Sequence, residues 1–90
     1  MIEQTAIIGN PLGLHARPAA QFVRLASSFA AEVIVGKDGV EINGKSIMGV
    51  MMLSAECGAR LLIRATGPDE AAAVVALAGL VEGGFGEARP

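Results

Sequence analysis

The stretch Glu32-Val33-Ile34-Val35-Gly36-Lys37-Asp38-Gly39-Val40-Glu41-Ile42-Asn43 decides the fold class. Val33 and Val35, then Val40 and Ile42, alternate with a period of two, so they can share one face of paired strands. Asp38-Gly39 sits between the two runs and is a strong hairpin signal, since both positions of such a turn take positive φ. The spacing therefore predicts one strand over residues 32–36 and a second over 40–43, antiparallel to each other. Gly44-Lys45 closes the hairpin.

Upstream of it the period changes. Ala19, Phe22, Val23, Ala26 and Phe29 recur at helical spacing and define a buried stripe, while Gln21, Arg24, Ser27 and Ser28 take the wet side. The helix begins near Ala16, and Pro18 suits its first turn, where a missing N–H costs little. Gly9-Asn10-Pro11-Leu12-Gly13 before it is turn chemistry, and residues 5–8 read as a short strand. Downstream, Ser46 reads as the N-cap of a short helix over 47–53. Residues 60–66 alternate again, with Leu61, Ile63 and Ala65 on one face. Gly67-Pro68-Asp69-Glu70 opens a last helix, in which Val74, Leu77, Ala78 and Val81 share a face and Gly83-Gly84 ends it. The order is β-α-β-β-α-β-α. Four short strands cannot bury both faces of a sheet, so a two-layer α+β domain is expected, with an antiparallel sheet covered by helices on one side. Residues 1–90 form one domain, with fraying expected over 86–90.

Composition narrows the function. The 90 residues are 52% apolar and lack Trp and Tyr, so the core is aliphatic with three Phe. A domain this small has room for a surface site but hardly for a deep substrate pocket of roughly 300 Å³ or more. Net charge is −2, with no run of Lys or Arg, which argues against nucleic acid as a partner. The single cysteine, Cys57, excludes an internal disulfide and a Cys-based metal cluster, and reads as a small partly buried thiol before a turn glycine. The first residues lack the basic start and apolar run of a signal peptide. The apolar stretch 71–81 is far short of the ~20 residues that span a bilayer. A cytoplasmic protein without membrane insertion is expected. No cofactor or metal constellation stands out.

The most informative stretch is Gly13-Leu14-His15-Ala16-Arg17-Pro18-Ala19, which holds the only histidine. His15 falls where a Gly-containing loop meets a helix start. Free backbone N–H groups and the positive end of the helix dipole converge there and suit an anion. Arg17 adds a guanidinium within reach. A neutral imidazole is a competent nucleophile and a good leaving group when a phosphoryl group moves on. The same N–H groups and Arg17 would stabilise phosphoryl oxygens. A lone histidine at a helix start also reads as a cap or a surface residue, and the position alone leaves both readings open.

The stretch 13–19 resembles the phosphorylation-site signature of the HPr family, the histidine-containing phosphocarriers of the bacterial phosphoenolpyruvate-dependent phosphotransferase system. Lys45-Ser46-Ile47-Met48-Gly49-Val50-Met51 is similar to that family's regulatory-serine signature. The resemblance covers essentially the whole chain. It implies an open-faced β-sandwich, four antiparallel strands with three helices on one side. It also implies that Enzyme I passes a phosphoryl group from phosphoenolpyruvate to Nδ1 of His15, which donates it to a IIA domain for sugar uptake and its regulation. Arg17 carries over as the phosphate-stabilising residue and Pro18 as the rigid first-turn residue. Ser46 carries over as the target of an HPr kinase/phosphorylase. Partner contacts are expected at Ala16, Ala20, Arg24, Ile47, Met48 and Met51, the last three partly exposed beside His15 on the Met-rich helix. A core role for those apolar side chains is the competing reading, and Arg24 reads equally as part of a solvated helix face.

Two other functions compete. One is a carrier of the nitrogen-related regulatory branch, since residues 65–70 and 83–86 look similar to such proteobacterial forms. The other is a regulatory module acting through Ser46 alone, against which the histidine argues. An enzyme with its own turnover is not expected, because no paired acid and base and no P-loop are present. A monomer is expected.

Overall fold

The computed structural model describes residues 1–87. It contains β1 (Ile2–Ile7), α1 (Ala16–Ser27), β2 (Glu32–Lys37), β3 (Val40–Asn43), α2 (Ile47–Met52), β4 (Arg60–Thr66) and α3 (Glu70–Glu82), followed by a 3-10 turn at Gly84–Gly86. The strands form one antiparallel sheet in the order β1-β4-β2-β3. This is the open-faced α+β arrangement expected from the sequence.

The hairpin register puts Val35 opposite Ile42 and Lys37 opposite Val40, so Val33, Val35, Val40 and Ile42 do share a face. Val33 and Val35 are fully buried, but Val40 stays 55% exposed, because β3 is a short edge strand that the helices do not reach at its turn end. On β4, Leu61, Ile63 and Ala65 are all buried under the helices. Phe22 of α1 and Leu77 of α3 complete the core, and each such large apolar side chain contributes about 1.5–3 kcal/mol by leaving water. On the opposite, open face, Arg64 of β4 reaches Glu3 of β1 at 3.0 Å and Glu41 of β3 at 2.7 Å, linking three strands across the uncovered sheet.

Two lysines close helix ends. Lys45 Nζ donates to the Phe29 carbonyl at 2.8 Å beyond α1, and Lys37 Nζ donates to the Leu53 carbonyl at 3.3 Å beyond α2. Cations are favoured there by the carbonyl ends of the helices. Asp69, placed at the start of α3, does not cap its own helix. Its carboxylate accepts from the N–H groups of Ala30 and Ala31, both at 2.8 Å, and ties the α1–β2 turn to α3.

Two expectations need correction. β1 begins at Ile2, three residues before the predicted start, because pairing with β4 continues to Ala65 although only Ala6 of β1 is buried. Cys57 is exposed rather than partly buried, because it lies on the outer side of the turn at Gly58. At the start of the stretch expected to fray, the Glu87 side chain is bonded to the body of the domain, just beyond the buried Phe85. The remainder of that predicted tail, 88–90, lies outside the described residues. Among the described residues no helix is long and apolar enough to cross a membrane.

Candidate functional site

The loop before α1 is built to hold one geometry. In Asn10-Pro11-Leu12-Gly13 the N–H of Gly13 donates to the Asn10 carbonyl at 3.1 Å, with proline where its fixed φ suits the turn. Gly13 then takes φ +68, and a Cβ there would lie 2.5 Å from the Ala55 carbonyl oxygen. Only glycine fits both the conformation and the space. The Leu14 N–H donates to that same Ala55 carbonyl at 2.8 Å, while Ile8 exchanges bonds with Ala59 and Gly58. Two loops distant in sequence are thereby stitched together, and the chain is aimed into α1.

His15 is the N-cap of α1, with extended backbone (φ −80, ψ −171), and its side chain makes no capping bond. Its carbonyl accepts from Ala19 N–H at 2.9 Å, starting the helix. Among the described residues nothing accepts from the N–H groups of Ala16 and Arg17, and Pro18 has no N–H to offer. Two free donors therefore stand at the positive end of a 12-residue helix, beside an imidazole. Arg17 is exposed and forms no ion pair among the described residues.

The imidazole faces Glu87. Nε2 lies 2.9 Å from Glu87 Oε2, and no hydrogen bond reaches Nδ1 from the described residues. The other carboxylate oxygen accepts from Asn10 Nδ2 at 2.9 Å. Asn10 is fully buried, and Nδ2 also donates to the Gly13 carbonyl at 2.7 Å. The Asn10 bond, then the bond and charge of His15 and the nearby charge of Arg17, hold the Glu87 carboxyl below the usual range against its partial desolvation.

The other sequence-predicted residues divide. Ala16 and Arg17 stand exposed in the first turn, Pro18 is buried beneath it, and Ala20 is half-buried. Ile47, Met48 and Met51 are exposed on α2, Met48 at 73%, so only Val50 of that helix is core. α2 packs on α1, and the chain that follows it holds Leu14, so this apolar face adjoins the α1 start. Leu12, 75% exposed in the His15 loop, extends the apolar surface and was not anticipated. Arg24 stands in the last turn of α1, about 12 Å along the axis from Ala16, and does not join the His15 cluster. Ser46 caps α2, its hydroxyl accepting from Gly49 N–H at 3.2 Å. Among the described residues no cluster of side chains could hold a metal ion.

A family model described as the PTS HPr component phosphorylation site matches residues 2–83. The chain belongs to the HPr family. It is 48% identical over 87 residues to the phosphocarrier protein HPr of Neisseria meningitidis, covering 97% of this chain and 98% of that one. It is 39% identical over 87 residues to the phosphocarrier protein NPr of Escherichia coli, covering 96% and 97%. Among solved structures it superimposes on HPr-C-His from Thermoanaerobacter tengcongensis with a TM-score of 0.93 at 48% identity, over 98% of this chain and 99% of that one. Relatives named HPr and NPr align over 97% and 96% of this chain, both within the HPr phosphocarrier family.

Glu87 and Asn10 are the members of the site that sequence reasoning missed. A lone Phe85 between glycines was the available signal, since an apolar residue in a Gly-rich tail marks an anchor.

Proposed function

We propose that this protein is a phosphocarrier in which Nδ1 of His15 accepts a phosphoryl group from Enzyme I and donates it to a IIA domain. The observation that carries the reading is the open start of α1 beside an imidazole whose Nδ1 is unencumbered among the described residues. In the transfer the Nδ1 lone pair forms the N–P bond as the donor's bond to phosphorus breaks. The N–H groups of Ala16 and Arg17 and the Arg17 guanidinium take the phosphoryl oxygens. Pro18 fixes the turn beneath them. The protein turns over nothing by itself. It acts in the cytoplasm as a monomer, and its exposed Leu12, Ile47, Met48 and Met51 give several partners one flexible apolar surface. Ser46 is a second modification site, where added negative charge beside that surface weakens docking.

Intact-protein mass spectrometry after incubation with Enzyme I and phosphoenolpyruvate tests this. One acid-labile phosphoryl group is expected on the parent and none on His15→Ala; acceptance by that variant removes His15 from the role. A second reading, transfer within the nitrogen-related branch, is supported by the 39% identity to an NPr. Offering the phosphorylated protein a sugar-type and a nitrogen-type IIA domain in competition separates the two.

A further inference from the structure

We propose that Glu87 is a positioning residue for His15: its carboxylate holds the Nε2 proton, presents the Nδ1 lone pair to the open start of α1, and balances the positive charge the ring gains when a phosphoryl group joins Nδ1. This deepens the phosphocarrier reading and rests on it.

An ionised carboxylate is acceptor only, so the imidazole nitrogen 2.9 Å from Glu87 Oε2 is the one that carries the hydrogen. A neutral imidazole has a single N–H, and the bond made by one nitrogen fixes the state of the other. Nδ1 is then the lone-pair nitrogen, and it is also the nitrogen with no partner among the described residues. Glu87 is itself held in place. Its Oε1 accepts from Asn10, whose side chain is fully buried, and the preceding Phe85 is buried with φ +57, a conformation that a bulky residue adopts only when packing imposes it. Among the described residues, the other charge acting on Glu87 is that of Arg17, on the same helix start as His15. Glu56, on the loop packed against Gly13, is exposed.

The balance of the step explains the need for a carboxylate. When the Nδ1 lone pair bonds to phosphorus, the donor leaves with its own electron pair and Nε2 keeps its proton, so a neutral ring becomes a cation. When the phosphoryl group moves on, the N–P electrons return to Nδ1 and neutral imidazole departs. Without the Nε2 proton, imidazolate would have to leave, which is a far poorer leaving group. A negative charge on the Nε2 side favours the charged ring in both directions. Its distance from the phosphoryl oxygens, on the opposite side of the ring, limits its repulsion of them.

The test compares the parent with Glu87→Gln, which keeps shape and removes charge, and Glu87→Ala, which removes the acceptor. Both should keep the amide spectrum and melting temperature of the parent nearly intact. Acceptance at limiting Enzyme I should slow about 10- to 100-fold in both variants, the size of a charge-assisted hydrogen bond. The pH profile of phosphoryl transfer from the phosphorylated protein should move to lower pH in Glu87→Gln. In the unphosphorylated parent the Nε2-bound proton should be visible by ¹⁵N-edited NMR, and lost to exchange in Glu87→Ala. Unchanged profiles and rates overturn the proposal. Faster acceptance by Glu87→Gln also overturns it and makes the carboxylate an obstacle to phosphate. A parent that takes no phosphoryl group from a cognate Enzyme I sinks the phosphocarrier reading instead. The Nε2 proton then decides the positioning role alone: the role stands if the proton depends on Glu87 and fails if it does not.

Discussion

Helices α1 and α2 begin alike, each after an extended residue able to hydrogen-bond, yet the two caps do opposite things. Ser46 turns its hydroxyl inward and accepts from Gly49 N–H at 3.2 Å, so α2 closes the third donor of its start. His15 makes no capping bond: its ring is held by Glu87, and the residue three places on, where Gly49 stands in α2, is Pro18, which has no N–H to cap. A helix start closed by its own side chain gains local stability. One with proline at that third position has no such donor to close, so its cap side chain is left for another partner beside the first two N–H groups, which are open to an anion. Within one small domain, the two starts separate a structural cap from a candidate reactive site.

The largest way to disturb this contrast is at Gly13. Alanine there would combine φ +68 with a Cβ 2.5 Å from the Ala55 oxygen and 2.8 Å from Glu56 Cα. Stability should fall by about 2 kcal/mol or more, and phosphoryl acceptance should fall with it, since the same backbone aims His15. Denaturant unfolding and a phosphorylation time course read the two together; a variant as stable as the parent would mean the loops are not locked. A smaller effect sharpens the contrast directly. Ser46→Ala should cost about 1 kcal/mol, as loss of a working cap does, whereas His15→Ala should stay within about 0.5 kcal/mol while abolishing acceptance. Equal costs in thermal melts would erase the distinction between the caps.

The smallest effect extends the comparison to α3, whose Asp69 serves a neighbour rather than its own helix. Its bond from Ala30 N–H, then that from Ala31 N–H, holds its carboxyl below the usual range against partial desolvation. A group lowered on folding adds stability that is full above its unfolded value, near 4, and is lost as pH falls through the folded value. Asp69→Asn should therefore lower the melting temperature at neutral pH and narrow the gap to the parent below about pH 4. A gap of constant size across that range would show that the charge of the tie contributes nothing.

Much of the architecture was legible in residue order. The Asp38-Gly39 hairpin, the alternation on β4 and the helical stripe from Ala19, which α1 carries to Ala26 but not to Phe29, are local patterns, and local patterns report local structure. The edges were less legible. Residues 2–4 of β1 carry little apolar signal because they pair at a sheet edge without being buried, so only the partner strand reveals them. The Met-rich α2 is ambiguous as sequence, since an exposed apolar face and a core face look identical until the neighbours are placed.

By itself the sequence determined the element order, the hairpin, the Ser46 cap and the placing of His15 at a helix start, because turn chemistry and periodicity act over a few residues. Tertiary structure alone decided which nitrogen of His15 is engaged. Glu87 lies 72 residues from His15, and Asn10 lies 77 from Glu87. Those side chains meet only after the sheet has formed and Phe85 has been buried, and no pattern along the chain encodes a contact between its two ends.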